Sequence, residues 1–213
     1  DASYPFLIQE KYRAGYFTHY AGEGTIRSAK LSYRGEEVDL CLCRTKAHFS
    51  NDGTTRLLTL DPVTIEFADL SLTLQTKVYF EEGSGSIQLE RTILEMSDPN
   101  AEVELNEYMV ACYGTTEYPE DMTGITLTCE GSGSETKSIV YEYRCREESL
   151  SGATAVSAVI PAIETKVSMT ASSEAEGYIR EGYAFSPMFT LGYKKKIRDK
   201  ERFATWLNLE KAN

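Results

Sequence analysis

The chain has 213 residues, 41% hydrophobic and 26% charged, with a formal net charge of −11 and a pI near 4.8. These proportions exclude a disordered chain, and the length suits one all-β sandwich or barrel spanning residues 1–213. The charge excludes a nucleic-acid partner, which needs a basic footprint. Residues 193–213 hold seven Lys/Arg against three Asp/Glu, so residues 1–192 carry −15. A neutral, hydroxyl-rich ligand suits such a surface better than a polyanion. The basic run Lys194–Arg198 reads as a solvated face.

No apolar run reaches the ~20 residues that span a bilayer, so no membrane partner is expected. The start, Asp1-Ala2-Ser3-Tyr4-Pro5, is polar and has no leader character. It lacks an initiator Met and reads as the edge of a processed chain or a piece of a larger protein. The five cysteines, Cys41, Cys43, Cys112, Cys129 and Cys145, cannot all pair and have no C-x-x-C spacing. They read as reduced thiols in a reducing, cytoplasmic compartment, with no metal and no cofactor.

In chain order, short strands are expected at 25–33, 37–44, 57–60 and 63–67. From Leu70 the alternation becomes strict. Leu70, Leu72, Leu74, Val78 and Phe80 share one face, and Ser71, Thr73, Gln75, Lys77 and Tyr79 the other. Glu81–Ser86 contains two glycines and turns the chain. Ile87, Leu89, Arg91 and Ile93 resume the alternation, completing a long hairpin. Ser97-Asp98-Pro99-Asn100 is a turn, and a third long strand follows over 103–113.

The stretch 114–122 is irregular. Beyond it, Ile125, Leu127 and Cys129 are expected to pair with Ile139, Tyr141, Tyr143 and Cys145 across a hairpin. Further strands are expected at 155–160, 163–170, 178–185 and 188–194. A short C-terminal helix is predicted after Asp199, which can cap it while Phe203, Trp206 and Leu207 share a face at i, i+3 and i+4.

Chemistry-bearing residues are sparse. There are two histidines, His19 and His48, with no metal-binding spacing. The Gly83-x-Gly85 and Gly131-x-Gly133 pairs sit in hairpin turns, without the helix N-terminus that would hold a phosphate. Either histidine is a candidate general base, the alternative being a hydrogen-bonded packing residue, and His48 is also a candidate ligand-binding residue.

The strongest cluster is Tyr113, Glu117, Tyr118, Glu120 and Asp121, two aromatics and three acids in a loop leaving a core strand. Sugars need flat apolar faces for their C–H surfaces and carboxylates for their hydroxyls. A carboxylate pair could also cleave a glycosidic bond. The alternative is a solvated acidic loop with Tyr118 covering the end of the sandwich.

The long strand from Leu70, the glycine turn, and Arg91-Thr92-Ile93-Leu94-Glu95-Met96-Ser97-Asp98 before the next long strand resemble galactose mutarotase-like supersandwich domains. That family turns its chain at a phrase like R-x-I-x-N-x-S-D, and here Glu95 replaces the Asn. The likeness covers about a fifth of the chain. It implies a large antiparallel β-sandwich of the kind that accompanies glycoside hydrolases, phosphorylases and polysaccharide lyases. Mutarotases proper use two His and a Glu for proton transfer. His19 and His48 do not match them in spacing, so the resemblance implies a sugar-related scaffold rather than epimerase activity.

Three functions follow. The leading one is a carbohydrate-related domain that binds neutral glycan or supports an adjoining catalytic domain. The others are a stand-alone epimerase or hydrolase using acids of the 113–121 loop, and a structural or protein-interaction module.

Overall fold

Alternation of apolar and polar residues fixes which way each side chain of a strand points, and hairpin turns fix its partner. The computed structural model obeys both rules over the residues it describes, 28–212 apart from 54, 82, 113–123, 143, 162–163 and 184–186. The strands are β1 (Ser28–Tyr33), β2 (Glu36–Asp39), β3 (Ala47–Asp52), β4 (Thr55–Leu60), β5 (Val63–Phe67), β6 (Leu70–Glu81), β7 (Ser86–Met96) and β8 (Val103–Cys112). They continue as β9 (Thr126–Gly131), β10 (Thr136–Val140), β11 (Glu147–Ser151), β12 (Ala153–Ile160), β13 (Thr165–Ala171), β14 (Glu176–Tyr183), β15 (Pro187–Ile197) and β16 (Arg202–Lys211).

These form two antiparallel sheets. One has six strands, ordered β11-β14-β15-β8-β1-β2. The other has ten, ordered β10-β9-β12-β13-β16-β7-β6-β4-β3, with β5 beside β4 along the same edge of β6. Strands β14 and β15 of the smaller sheet pack on β9, β12 and β13 of the larger. At Gly177 the sheets come so close that a Cβ would stand 2.5 Å from the Ala153 Cβ. Between them lies one contiguous buried cluster that includes Leu31, Leu72, Leu74, Ile93, Leu105 and Phe203.

The predicted hairpin is β6–β7. Leu70, Leu72, Leu74 and Val78 are buried on one face as the alternation requires. Pairing slips by one residue, from Thr73 opposite Glu95 to Leu74 opposite Ile93, so Leu94 is a bulge. The bulge lets both Ile93 and Met96 point inward across an even-to-odd change in spacing.

Arg91 stands on this inward face. Its Nη1 donates to Thr76 Oγ1 at 2.6 Å and its Nε to Glu107 Oε2 of β8 at 3.1 Å. Glu107 is fully buried, so the ion pair spans the sandwich interior. A second buried carboxylate, Glu181, accepts from the backbone N–H groups of Glu142 and Arg144 and from the Arg146 guanidinium, tying the 142–146 segment to β14.

The predicted C-terminal helix is corrected to strand β16, which pairs with β13 and β7 over its length. Phe203, Thr205 and Leu207 face the core at period two. Phe203, Trp206 and Leu207 also satisfy a helical spacing, and no local signal outweighs the two waiting strands. Asp199 caps no helix: its Oδ1 accepts the Met96 N–H at 2.7 Å, joining the turn after β15 to the end of β7.

The strand expected over 37–44 stops at Asp39 and becomes a 3₁₀ turn, Leu40–Leu42. Strands β3 and β11 were not foreseen, because their side chains are mostly exposed and leave no apolar alternation. Ile139 pairs with Leu127 as expected, but Cys129 lies opposite Lys137, and Cys145 sits beyond the hairpin on the surface. Among the described side chains, Cys43, Cys129 and Cys145 are free thiols.

Candidate functional site

Of the predicted site residues, His19, Tyr113, Glu117, Tyr118, Glu120 and Asp121 lie outside the described residues. His48 is described and stands on β3, at one edge of the ten-stranded sheet. Its Nε2 is 2.8 Å from Asp61 Oδ1, with 65% and 45% of the two side chains exposed. Asp61 also borders a cavity of about 20 Å³ lined by Cys43, Thr45, Thr76 and Arg91 among others. That space has room for about one water and is far too small for a sugar.

Roomier ground lies on the outward face of the six-stranded sheet. A basin of about 230 Å³ is bordered by Lys30 of β1, Glu37 of β2, Asn106 and Tyr108 of β8, Tyr178 and Arg180 of β14, and Lys194 of β15, with Glu147 of β11 at its rim. Registry explains the hollow. Tyr178 pairs with Gly192, and Gly192 with Tyr108, so a glycine sits in the middle of a cross-strand row.

The Tyr178 ring lies across that glycine. A Cβ at Gly192 would be 2.5 Å from its Cζ. Its hydroxyl donates to Asn106 Oδ1 at 2.9 Å, and Lys194 Nζ lies 5.1 Å from its ring centre. Burial pushes the Tyr178 hydroxyl well above its usual pKa, so it stays a neutral donor.

Around this floor the charges alternate. Lys30 Nζ donates to Glu37 at 2.6 Å, and that bond raises the lysine's pKa against a smaller opposing effect of burial. Arg180 lies 4.0 Å from Glu147. Interleaved donors and acceptors suit a ligand whose every hydroxyl both gives and takes a hydrogen bond. Among the described residues no three His, Cys, Asp or Glu side chains are grouped to hold a metal, and no helix is long and apolar enough to cross a membrane.

The outward face of the ten-stranded sheet has a different character. Tyr79 of β6 pairs with Gln88 of β7, which pairs with Trp206 of β16. These three, with Thr55, Phe80 and Ser86, line a depression of about 230 Å³.

No family model matches the chain, and no curated protein sequence matches it. Solved structures do. A proposed aldose 1-epimerase from Escherichia coli K12 has a TM-score of 0.54 at 10% identity, over 85% of this chain and 79% of that one. A proposed mutarotase, YeaD, from Salmonella typhimurium has a TM-score of 0.55 at 8% identity, over 79% of this chain and 64% of that one. The fold is galactose mutarotase-like. The α-N-acetylgalactosaminidase NagBb of Bifidobacterium bifidum, as a quadruple mutant, contains a similar fold, with a TM-score of 0.62 at 10% identity. It is covered over only 31% of its length, against 87% of this chain.

Within this mutarotase-like fold, sequence reasoning missed Asn106, Tyr178 and Lys194 as neighbours, since three different strands bring them together. A partial signal existed. Tyr79 and Tyr108 fall on nominally polar strand faces, where a tyrosine is either covered or available to a ligand.

Proposed function

We propose that this chain is a carbohydrate-related supersandwich domain that binds a neutral sugar in the basin on its six-stranded sheet. The observation that carries the reading is the ring of alternating donors and acceptors around the basin, from Lys30 and Glu37 through Asn106 and Lys194 to Arg180 and Glu147. The mutarotase-like fold supports it, because other proteins of this fold are described as an aldose epimerase, a mutarotase and a glycosidase. A pyranose presents hydroxyls on every edge, and a mixed-charge rim can meet each with a charge-assisted hydrogen bond.

A second reading, support of a catalytic neighbour, is favoured by one fact. The matching region is under a third of NagBb, so this fold also occurs as one part of a longer enzyme.

Isothermal titration against glucose, galactose and N-acetylgalactosamine tests the binding reading. At least one should bind, and Lys194→Met and Arg180→Met should each weaken it roughly ten-fold, the loss of about 1.4 kcal/mol. No heat from any neutral monosaccharide, or unchanged affinity in both variants, would overturn it.

A further inference from the structure

Trp206 is the only tryptophan of the chain, and its place needs explaining. It lies on β16 between inward-facing Thr205 and Leu207, so it points out of the sandwich, as Tyr79 does on β6. Both side chains are half-buried rather than covered. Neither ring stacks on another ring or a cation among the described residues. Burial is the chief cause that raises the Tyr79 hydroxyl pKa, followed by the nearby Glu90 carboxylate, so Tyr79 stays neutral at working pH.

Registry puts the two rings in one row. Tyr79 is opposite Gln88, and Gln88 is opposite Trp206. Two strand spacings therefore separate the aromatic positions, about 9.5 Å at roughly 4.8 Å per strand, with an amide midway. The adjoining row on the same face holds Lys77 opposite Glu90, and Glu90 accepts from Arg202 at 3.3 Å. An aromatic–amide–aromatic row thus runs beside a charged hydrogen-bonding row, along the floor of a depression of about 230 Å³.

An extended pyranose unit is about as long as one strand spacing. A chain laid across the strands can place one ring on Tyr79, the next over Gln88 and the third on Trp206. The two aromatic faces offer apolar contact to sugar C–H surfaces, worth more than area alone when geometry is fixed. Gln88 carries both a donor and an acceptor for the middle ring. Lys77 in the neighbouring row, and Arg202 reaching back from the row beyond to hold the buried Glu90, stand ready for hydroxyls that point sideways.

We propose that this face is a separate binding surface for an extended, uncharged oligosaccharide of three or more sugar rings, lying across β6, β7 and β16. The inference rests on the carbohydrate reading of the domain and adds to it a site on the opposite sheet. No bond is made or broken there. The surface holds a linear chain, while the basin holds a single sugar.

Trp206 is its own reporter. Its emission should change on titration with linear cello-, xylo- or manno-oligosaccharides, saturating from the trisaccharide upward and not responding to the monosaccharides. Tyr79→Ala keeps the reporter and should weaken the response at least ten-fold, and Gln88→Ala should weaken it several-fold. Lys194→Met, on the other sheet, should leave it unchanged.

Affinity electrophoresis in polysaccharide gels, with circular dichroism to confirm folding, extends the test to Trp206→Ala, which should lose its retardation. An emission unmoved by any oligosaccharide, or a response that Tyr79→Ala leaves intact, would overturn the proposal. Loss of the basin's monosaccharide heat alone, with the Trp206 response retained, would overturn the basin reading and leave this one standing.

Discussion

The two outward faces of the sandwich come from the same alternation of residues, yet they differ in what they do with their aromatics. On the six-stranded sheet Tyr178 is hidden, laid across Gly192 with Lys194 against its ring, and charged groups surround it. On the ten-stranded sheet Tyr79 and Trp206 stay half-exposed on either side of Gln88. Alternation decides only which residues face out. Cross-strand registry decides what they become, and a single glycine turns one tyrosine into a floor while its absence leaves another as a platform.

The contrast can be broken from below. Both faces rest on the interior that Arg91 and Glu107 share. Arg91→Met leaves the fully buried Glu107 without its guanidinium, and removing one partner of a buried pair costs about 3–5 kcal/mol. Urea denaturation should show a loss of that order, with both surfaces compromised together. A loss under about 1 kcal/mol would mean that the pair is peripheral to the interior.

Gly192→Ala should sharpen the contrast by damaging one face only. Its Cβ would meet the Tyr178 ring at 2.5 Å, and such overpacking costs about 1–3 kcal/mol. Monosaccharide binding in the basin should fall while the Trp206 emission response persists.

Alkaline pH gives a third, smaller effect through buried acidic protons. Burial pushes the Cys129 thiol from its ordinary 9.0 up to about 11, and also raises the hydroxyls of Tyr178 and Tyr193. The folded chain keeps these protons after the unfolded chain has shed them, so the unfolded state binds fewer protons and stability falls as pH rises. For Cys129 the contribution is fully present below pH 9 and is lost by about pH 11. The denaturation midpoint should decline through that window, and Cys129→Ala should flatten the decline.

The smallest effect is expected at the edge. His48→Ala removes an exposed contact to Asp61 and should change stability by less than about 1 kcal/mol, with no effect on either sugar response. A loss of sugar binding would return His48 to the functional site.

Much of the fold was legible in the sequence because period two is a local signal. The β6–β7 hairpin, β5 and the inward direction of Arg91 could all be read from it. The bulge at Leu94 could not, since it shows only against the partner strand. The C-terminal segment misled because Phe203, Trp206 and Leu207 fit both a helical face and a mixed strand, and β7 and β13 decide between them.

The site was less legible. Tyr79 and Tyr108 stood out on polar faces, but Gln88, Asn106 and Trp206 gain meaning only from neighbours more than 15 residues away or on other strands. Trp206 in particular read as part of a helical apolar face with Phe203 and Leu207, and its outward direction follows from β16 being a strand.

The most direct measurement is a chemical-shift map of the ¹⁵N-labelled chain with a neutral monosaccharide and then a linear oligosaccharide. The monosaccharide should move the amides of Asn106, Tyr108, Tyr178 and Lys194, and the oligosaccharide should add those of Tyr79, Gln88 and Trp206. Shifts confined to the His48–Asp61 edge, or none with either sugar, would contradict that pattern.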